Sequence, residues 1–263
     1  MEKTLIATMA LTYVATADMV IYDLSGGTPS YGTYDNITFL TSGTVGDSTS
    51  AKTASLNGAT ISFQAITATG SARGMLGVNA KWANGLPVDL GLSTTDISTL
   101  TSTGAYITGD TGSYPGVITL TITGLSKGSY SLSALSAKGT GDTSPITMNL
   151  SVNGTAWTSA DYLNNASYYS YANNQWGSSA SGQPLFSAVA NNTPSAAFAT
   201  FDNIEISADN SSIVLTLTGT PASANSQNLK ALQFVSLTLV PEPTTATLSL
   251  LALAGLAARR RRK

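Results

Sequence analysis

Apolar residues alternate with serine and threonine along several stretches of this chain, and no other feature limits its fold as strongly. In residues 118–123, isoleucine or leucine fills every even position and threonine every odd one. Comparable alternation covers residues 129–134, 146–152, 213–218 and 235–239. A period of two places each residue type on one face of a strand. The pattern therefore predicts half-buried antiparallel strands.

Turn-forming clusters separate these stretches, among them residues 124–128, 138–144 and 219–227. Outside the C-terminus, no stretch keeps a helical period over three turns. Residues 94–100 and 159–164 are each predicted to form at most a short turn of helix. Many short strands with few helices indicate an all-β protein. We predict one antiparallel β-sandwich, jelly-roll-like, over residues 18–239.

One hairpin carries a more specific signal. A threonine-rich strand is followed by Gly124-Leu125-x-x-Gly128-x-Tyr130 and then by a second strand. This spacing resembles the "GL-x-x-G-x-Y" hairpin of galactose-binding-like domains and other carbohydrate-module jelly rolls. Any tight hairpin also favours glycine for a positive φ and tyrosine to fill the core. Both interpretations predict the same fold.

Composition excludes several classes of function. The chain has no cysteine and no histidine, which removes disulfides, Ser-His-Asp and Cys-His hydrolases and nearly all zinc sites. Between residues 18 and 240 lie twelve acidic and six basic side chains, a net charge of −6. This charge makes nucleic acid a poor partner. A glycosidase needs two carboxyl groups, and Glu205 is the only glutamate in this region.

The N-terminus has the layout of a secretory signal peptide. Met1, Glu2 and Lys3 form a short n-region, and residues 4–14 are mostly apolar. Ala15-Thr16-Ala17 then provides an Ala-x-Ala cleavage site. We predict a signal peptide over residues 1–17, which leaves Asp18 as the first residue of the mature protein.

The C-terminus has three parts in a fixed order. Val240, Pro241, Glu242 and Pro243 precede an apolar stretch over residues 244–258, which ends at Arg259, Arg260, Arg261, Arg262 and Lys263. This order resembles the PEP-CTERM sorting signal of Gram-negative bacteria, over residues 240–263. The resemblance implies export and delivery to a membrane-embedded exosortase, the partner enzyme of such signals.

The same tail predicts a membrane span. A helix over residues 244–258 would be roughly 22 Å long, a little shorter than a hydrocarbon core. The terminal cations would stay in the cytoplasm and the body outside. The alternative, an amphipathic surface helix, needs a polar face that this stretch lacks. We predict a single C-terminal transmembrane helix that anchors the protein in the inner membrane until processing, followed by location at the cell surface or in the extracellular matrix.

Aromatic residues gather in one polar segment of the body. The aromatic residues are Tyr162, Tyr168, Tyr169, Tyr171 and Trp176. Asn164, Asn165, Asn173, Asn174 and Gln175 lie between or beside them. Flat rings stack on sugar C–H faces while amides bond hydroxyls, so the segment predicts a lectin-like loop with Trp176 and Tyr169 as its main contacts. Alternatively, the loop folds over one end of the sandwich and its rings cap the core.

An Asp-Asn pair occurs twice before alternating residues, at Asp35-Asn36 and at Asp202-Asn203. Such a pair at the start of a strand suits an Asx turn. Asp35 and Asp202 are also weak candidates for a structural Ca²⁺ site. No other cofactor is predicted.

The sequence therefore predicts an exported, non-catalytic protein of the cell envelope or extracellular matrix that binds polysaccharide. Two alternatives stay open: a purely structural matrix protein and a divergent carbohydrate-active enzyme that uses aspartate pairs.

Overall fold

A computed structural model of the chain describes residues 17–26, 28–43, 50–68, 71–74, 85–102, 104–109, 117–138, 146–172, 175–178, 185–186, 195–219 and 228–241. The first nine strands are β1 Met19–Gly26, β2 Ile37–Gly43, β3 Lys52–Leu56, β4 Ala59–Ala68, β5 Ser71–Gly74, β6 Ala105–Gly109, β7 Val117–Leu125, β8 Gly128–Lys138 and β9 Ile146–Val152. The remaining strands are β10 Thr155–Ala156, β11 Ala166–Ala172, β12 Gln175–Ser178, β13 Leu185–Phe186, β14 Ser195–Ile206, β15 Ser211–Gly219, β16 Asn228–Leu232 and β17 Phe234–Val240. The described residues also include two helices, α1 Thr94–Thr101 and α2 Ser159–Asn165.

The strands form two large sheets and one small one. The first sheet has the order β12-β11-β14-β8-β17-β1-β2. The second has the order β10-β9-β15-β7-β4-β3, with β13 also paired to β9. A three-stranded sheet has the order β16-β6-β5. The pairings are antiparallel apart from β1 with β2, so the all-β, mainly antiparallel fold class of the body is confirmed.

The two large sheets enclose one core, as a sandwich does. Leu120 of β7 and Leu215 of β15 face Leu132 of β8 and Leu237 of β17 within it, and all four are fully buried. Alternation predicts that one face of each strand is apolar and buried, and the apolar residues Ile118, Leu120, Ile122, Met148, Leu150, Leu215 and Leu237 all belong to this inner core. The alternation of β7 therefore predicted its two faces correctly.

The first sheet is buried on its other face as well. Leu135 of β8, Phe198 of β14 and Phe234 of β17 form an outer cluster with Leu90 and with Leu100 of α1. Serines follow the same face, and Ser133 and Ser236 are buried there. The expectation that these strands are half-buried is wrong for β8 and β17, because residues 85–92 and α1 cover the face that the serines suggested was exposed.

A buried amide marks the point where β16 ends and β17 begins. Gln233 accepts a hydrogen bond from the Ala137 backbone N–H at 2.6 Å through Oε1 and donates to the Ala137 carbonyl oxygen at 2.7 Å through Nε2. Its own backbone N–H donates to the Leu135 carbonyl oxygen at 2.9 Å. Gln233 is fully buried, so these bonds satisfy polar groups that water cannot reach.

The prediction of a hairpin over Gly124–Tyr130 is wrong, because β7 belongs to the second sheet and β8 to the first; residues 124–130 cross from one sheet to the other. Gly124 has φ +78°, and a Cβ there would lie 2.4 Å from the Thr60 carbonyl oxygen, so only glycine fits. Tyr130 is buried in the inner core and donates its hydroxyl proton to the Ser126 carbonyl oxygen at 2.9 Å. The short helices expected at residues 94–100 and 159–164 are confirmed as α1 and α2.

The structure does not support the predicted C-terminal transmembrane helix. Within the described ranges, no helix is long and apolar enough to cross a membrane. The longer of the two helices, α1, has eight residues and rises about 12 Å, against a hydrocarbon core of about 30 Å. Residues 244–258, where we predicted the span, lie outside the described residues. The architecture is an all-β, sandwich-like body, and inner-membrane anchoring by a helix is not supported.

Candidate functional site

A groove of about 450 Å³ lies at one end of the sandwich, beside the hairpin of β9 and β10. Its volume falls within the range of small-ligand sites. Val152, Thr155, Ala156, Trp157, Thr158, Asp161, Asn165, Asn203 and Glu205 line it. We call it the Trp157 groove. It brings together an aromatic ring, two amides and two carboxylates.

Local structure fixes the position of Trp157. Asn153 and Gly154 form the β9–β10 turn with φ of +49° and +79°, as tight hairpin turns require. The Trp157 backbone N–H then donates to the Leu150 carbonyl oxygen at 2.9 Å. The indole packs edge-on against Tyr162 and Phe201, with centroid distances of 5.5 and 5.8 Å. The ring is half-buried, so part of it faces the groove.

Helix α2 forms one wall of the groove. Thr158 caps its N-terminus through a capping box, in which Asp161 accepts hydrogen bonds from the Thr158 backbone N–H and hydroxyl, both at 2.7 Å. These bonds lower the pKa of Asp161 below its ordinary value, and the bond from the hydroxyl has the larger effect. Asp161 is therefore held as a carboxylate at the edge of the groove.

A bulge in β14 forms the adjoining part of the lining. Pairing with β8 shifts register between Phe201 and Ile204, and Asn203 adopts φ +53°. Phe201 and Ile204 both point into the inner core. The bulge thereby turns Asn203 and Glu205 outward, and both are exposed.

The two amides of the groove contact each other. Asn203 Nδ2 donates to Asn165 Oδ1 at 3.1 Å. This bond engages one polar atom of each side chain, and an amide carries both a donor and an acceptor. The second polar atom of each is suited to a ligand hydroxyl.

The predicted aromatic set does not form one site. Tyr162 lies in α2 and Tyr168 in β11, and both belong to the inner core. Tyr169 and Tyr171 point to the opposite face of β11 and pack with the outer cluster, as does Trp176 of β12. The segment is a helix followed by a hairpin rather than a loop. This placement favours the alternative in which the rings cap the core.

Tyr162 and Trp176 also use their polar atoms within the fold. The Tyr162 hydroxyl accepts a hydrogen bond from the Leu150 backbone N–H at 2.7 Å. Trp176 Nε1 donates to the Gly85 carbonyl oxygen at 2.7 Å. The Trp176 ring lies edge-on to Tyr171 and Phe198, at centroid distances of 5.2 and 6.2 Å.

The calcium candidates lie apart from each other. Asp35 precedes β2 and, with Asp18, lines a second cavity of about 280 Å³. Asp202 accepts a hydrogen bond from the Ser131 hydroxyl at 2.5 Å. It lies in the β14 bulge and not at the start of a strand, so the expected Asx turn is wrong there. In the part of the chain that the structure describes, no group of three or more metal-ligating side chains occurs, and calcium at either position stays a prediction.

The sorting residues lie mostly beyond the described part of the chain. Val240 ends β17 and is exposed, and Pro241 follows it. Glu242, Pro243, Arg259, Arg260, Arg261 and Arg262 lie outside the described residues. A family model, the PEP-CTERM protein-sorting motif, matches residues 239–263. The C-terminus carries a PEP-CTERM sorting motif. Such a motif indicates an exported, surface-sorted protein that an exosortase recognises.

Several solved structures are similar to the body. TmCBM61 in complex with beta-1,4-galactotriose shares 9% identity, covers 68% of this chain and 88% of its own, and has a TM-score of 0.34. A family 35 carbohydrate-binding module from Clostridium thermocellum shares 15% identity, covers 72% and 97%, and has a TM-score of 0.28. The enzymatically active domain of bacteriophage CBA120 tailspike protein 4 shares 12% identity, covers 66% and 19%, and has a TM-score of 0.29.

Two of these structures are carbohydrate-binding modules, and their TM-scores lie below 0.5. No curated protein matches the chain.

Sequence reasoning missed most of the Trp157 groove. Trp157 stands alone between strand and helix, and Asn203 and Glu205 come from a distant strand. The available signal was the Asn153-Gly154 turn, because it predicts a tight hairpin whose second strand, Thr155–Ala156, leads straight to Trp157.

Proposed function

We propose that this protein is an exported, non-catalytic component of the cell envelope or extracellular matrix, and that it binds glycan in the Trp157 groove. The observation that carries the proposal is a half-buried indole beside an amide pair in a groove of about 450 Å³. Glycan binding is the activity that the sequence predicts, but we propose Trp157 as its main contact instead of the aromatic segment that ends at Trp176.

The chemistry of the groove suits a sugar. An indole face stacks on the C–H face of a pyranose ring, and amides bond its hydroxyls without the cost of desolvating a charge. Tyr162 and Phe201 hold the Trp157 ring in place, so little side-chain entropy is lost when a ligand binds.

The Asp161 carboxyl group lacks the raised pKa of a glycosidase acid. A glycosidase needs one carboxyl group whose pKa is raised, so that it can protonate the leaving oxygen. The Thr158 hydrogen bonds lower the pKa of Asp161 instead. Asp161 is therefore a poor general acid, and a carbohydrate-active enzyme remains the alternative that a turnover assay tests.

Export rests on the sorting motif together with the proposed signal peptide over residues 1–17. The boundaries of the sandwich support that division. Strand β1 begins at Met19, and the Asp18 carbonyl oxygen accepts a hydrogen bond from the Leu239 backbone N–H at 3.0 Å. N-terminal sequencing of the surface-located protein should give Asp18 first. A mature chain that still begins at Met1 would contradict cleavage.

A glycan array of the full-length chain tests the binding site. Wild type should retain one class of oligosaccharide, and Trp157→Ala should lose it. Asn165→Ala and Asn203→Gly should weaken retention about tenfold each, since each removes one amide. Glycine suits position 203 because its backbone has a positive φ.

Trp176→Phe is the matched aromatic control and should retain glycan as wild type does. Loss of binding in Trp176→Phe with retention in Trp157→Ala would return the site to the Trp176 segment. If wild type retains no glycan at all, the purely structural role stands.

A further inference from the structure

Two carboxylates flank the Trp157 groove from different elements. Asp161 belongs to α2 and Glu205 to β14. None of the nine residues that line the groove is a lysine or arginine. The groove is therefore negative as well as aromatic, in a body whose net charge is already −6.

None of the residues that line the groove neutralises either carboxylate. The partners of Asp161 are the backbone N–H and hydroxyl of Thr158, which are uncharged donors that favour its ionised form. Glu205 is exposed at the edge of the bulge. Both negative charges therefore act over a short distance on a ligand in the groove, and water screens them only in part.

From this charge pattern we propose that the groove selects a cationic glycan, namely a hexosamine polymer with free amino groups, over its N-acetylated or uronic acid counterparts. The inference rests on the glycan-binding function proposed above and specifies its ligand class. Trp157 stacks on the sugar ring, and Asp161 and Glu205 each attract an ammonium group.

The expected discrimination is moderate. An exposed ion pair changes an equilibrium constant by up to about fivefold, so two pairs together give at most about 25-fold, and we expect about tenfold. Salt screens the attraction between the ammonium groups of the glycan and the two carboxylates. A uronic acid oligomer would instead place its carboxylates beside two like charges, which opposes binding.

The test uses two ligands of equal length, hexa-glucosamine and hexa-N-acetylglucosamine, titrated into the full-length chain by calorimetry at low and high salt. We expect hexa-glucosamine to bind about tenfold more tightly at low salt and the difference to shrink at high salt. Glu205→Gln should weaken hexa-glucosamine about fivefold and leave hexa-N-acetylglucosamine unchanged. Because residue 205 is exposed, this variant should fold as wild type does.

Asp35→Asn is the matched control, because it removes one negative charge from a different, exposed position. The Asp35→Asn variant should bind hexa-glucosamine and hexa-N-acetylglucosamine with the same affinities as wild type. Equal loss in Glu205→Gln and Asp35→Asn would attribute the preference to overall charge and overturn the inference.

The two proposals fail in different ways. If both oligomers bind equally and Trp157→Ala abolishes both, the groove binds glycan without charge selection, and only the ligand class is wrong. If hexa-glucosamine binds and Trp157→Phe and Trp157→Ala both leave its affinity unchanged, the ligand lies elsewhere and both proposals are wrong.

Discussion

The indole Nε1 of Trp176 donates a hydrogen bond to the carbonyl oxygen of Gly85 at 2.7 Å. Gly85 lies in the segment of residues 85–92 that covers the outer face of the first sheet, and the Trp176 ring packs with the outer cluster beneath it. A residue that resembles a sugar-stacking tryptophan in the sequence thus joins this segment to the sandwich.

Replacing Trp176 tests that role. Trp176→Ala should lower the free energy of unfolding by about 2–4 kcal/mol, because it removes ring contacts and the bond to Gly85. Trp176→Phe keeps most of the contacts and should lose only about 1 kcal/mol. Urea denaturation measures both. Unchanged stability in Trp176→Ala with loss of glycan binding would support the sugar-stacking interpretation of this residue.

Leu120 and Thr121 are neighbours on opposite faces of β7. Leu120 is fully buried in the inner core and Thr121 only half-buried. Leu120→Ala should destabilise the protein by about 2–5 kcal/mol, because it leaves a cavity. Thr121→Ala should cost less than about 1 kcal/mol. Equal losses in thermal or urea unfolding would mean that the two faces of β7 are assigned wrongly.

The strand faces could be predicted from the sequence because they depend on a local pattern. In β7, threonine and aliphatic residues alternate and the burial follows. The outer cluster could not be predicted in this way. Its covering residues Leu90 and Leu100 lie far along the chain from Leu135 and Phe234, and no short-range pattern links them.

The Trp157 groove could not be predicted from the sequence for a related reason. The bulge in β14 changes which side chains point inward, so Phe201 and Ile204 share one face although their spacing is odd. The alternation of residues 203–206 does place Asn203 and Glu205 on the outward face, and the extra residue lets Phe201 stay in the core as well. The bulge itself depends on pairing with β8, which no local pattern in the sequence indicates.

Gln233 contributes to stability through a buried amide bonded to Ala137. Gln233→Leu should lower the free energy of unfolding by about 2–4 kcal/mol, because it leaves the Ala137 N–H and carbonyl without these partners. Gln175→Leu replaces an exposed glutamine in β12 and should change stability by no more than about 0.5 kcal/mol. Chemical denaturation that gives the two variants the same stability would contradict this role.

Asp96 makes stability depend on pH. Burial opposes ionisation of its carboxyl, but hydrogen bonds from Tyr34, Ser93 and Gly32 outweigh burial and lower its pKa below the ordinary value of 3.8. A lowered pKa in the folded state stabilises the protein above the unfolded value, and this contribution is lost as pH falls through the folded pKa.

Urea denaturation of wild type and Asp96→Asn across a pH series measures this contribution. The difference in stability should be largest near neutral pH and should shrink as pH falls below about 4. Tyr34→Phe removes the donor that lies 2.5 Å from Asp96 Oδ2 and should reduce the pH dependence in part. A difference that grows on acidification would reverse the sign and refute the assignment.

Hydrogen–deuterium exchange with and without a retained oligosaccharide tests the central claim most directly, because it locates the ligand without a substitution. We expect added protection in peptides that cover residues 152–165 and 203–206, which contain Trp157, Asn165, Asn203 and Glu205. Peptides that cover residues 168–178 should exchange as before. Protection confined to residues 168–178, with no change around Trp157, would contradict the proposed site.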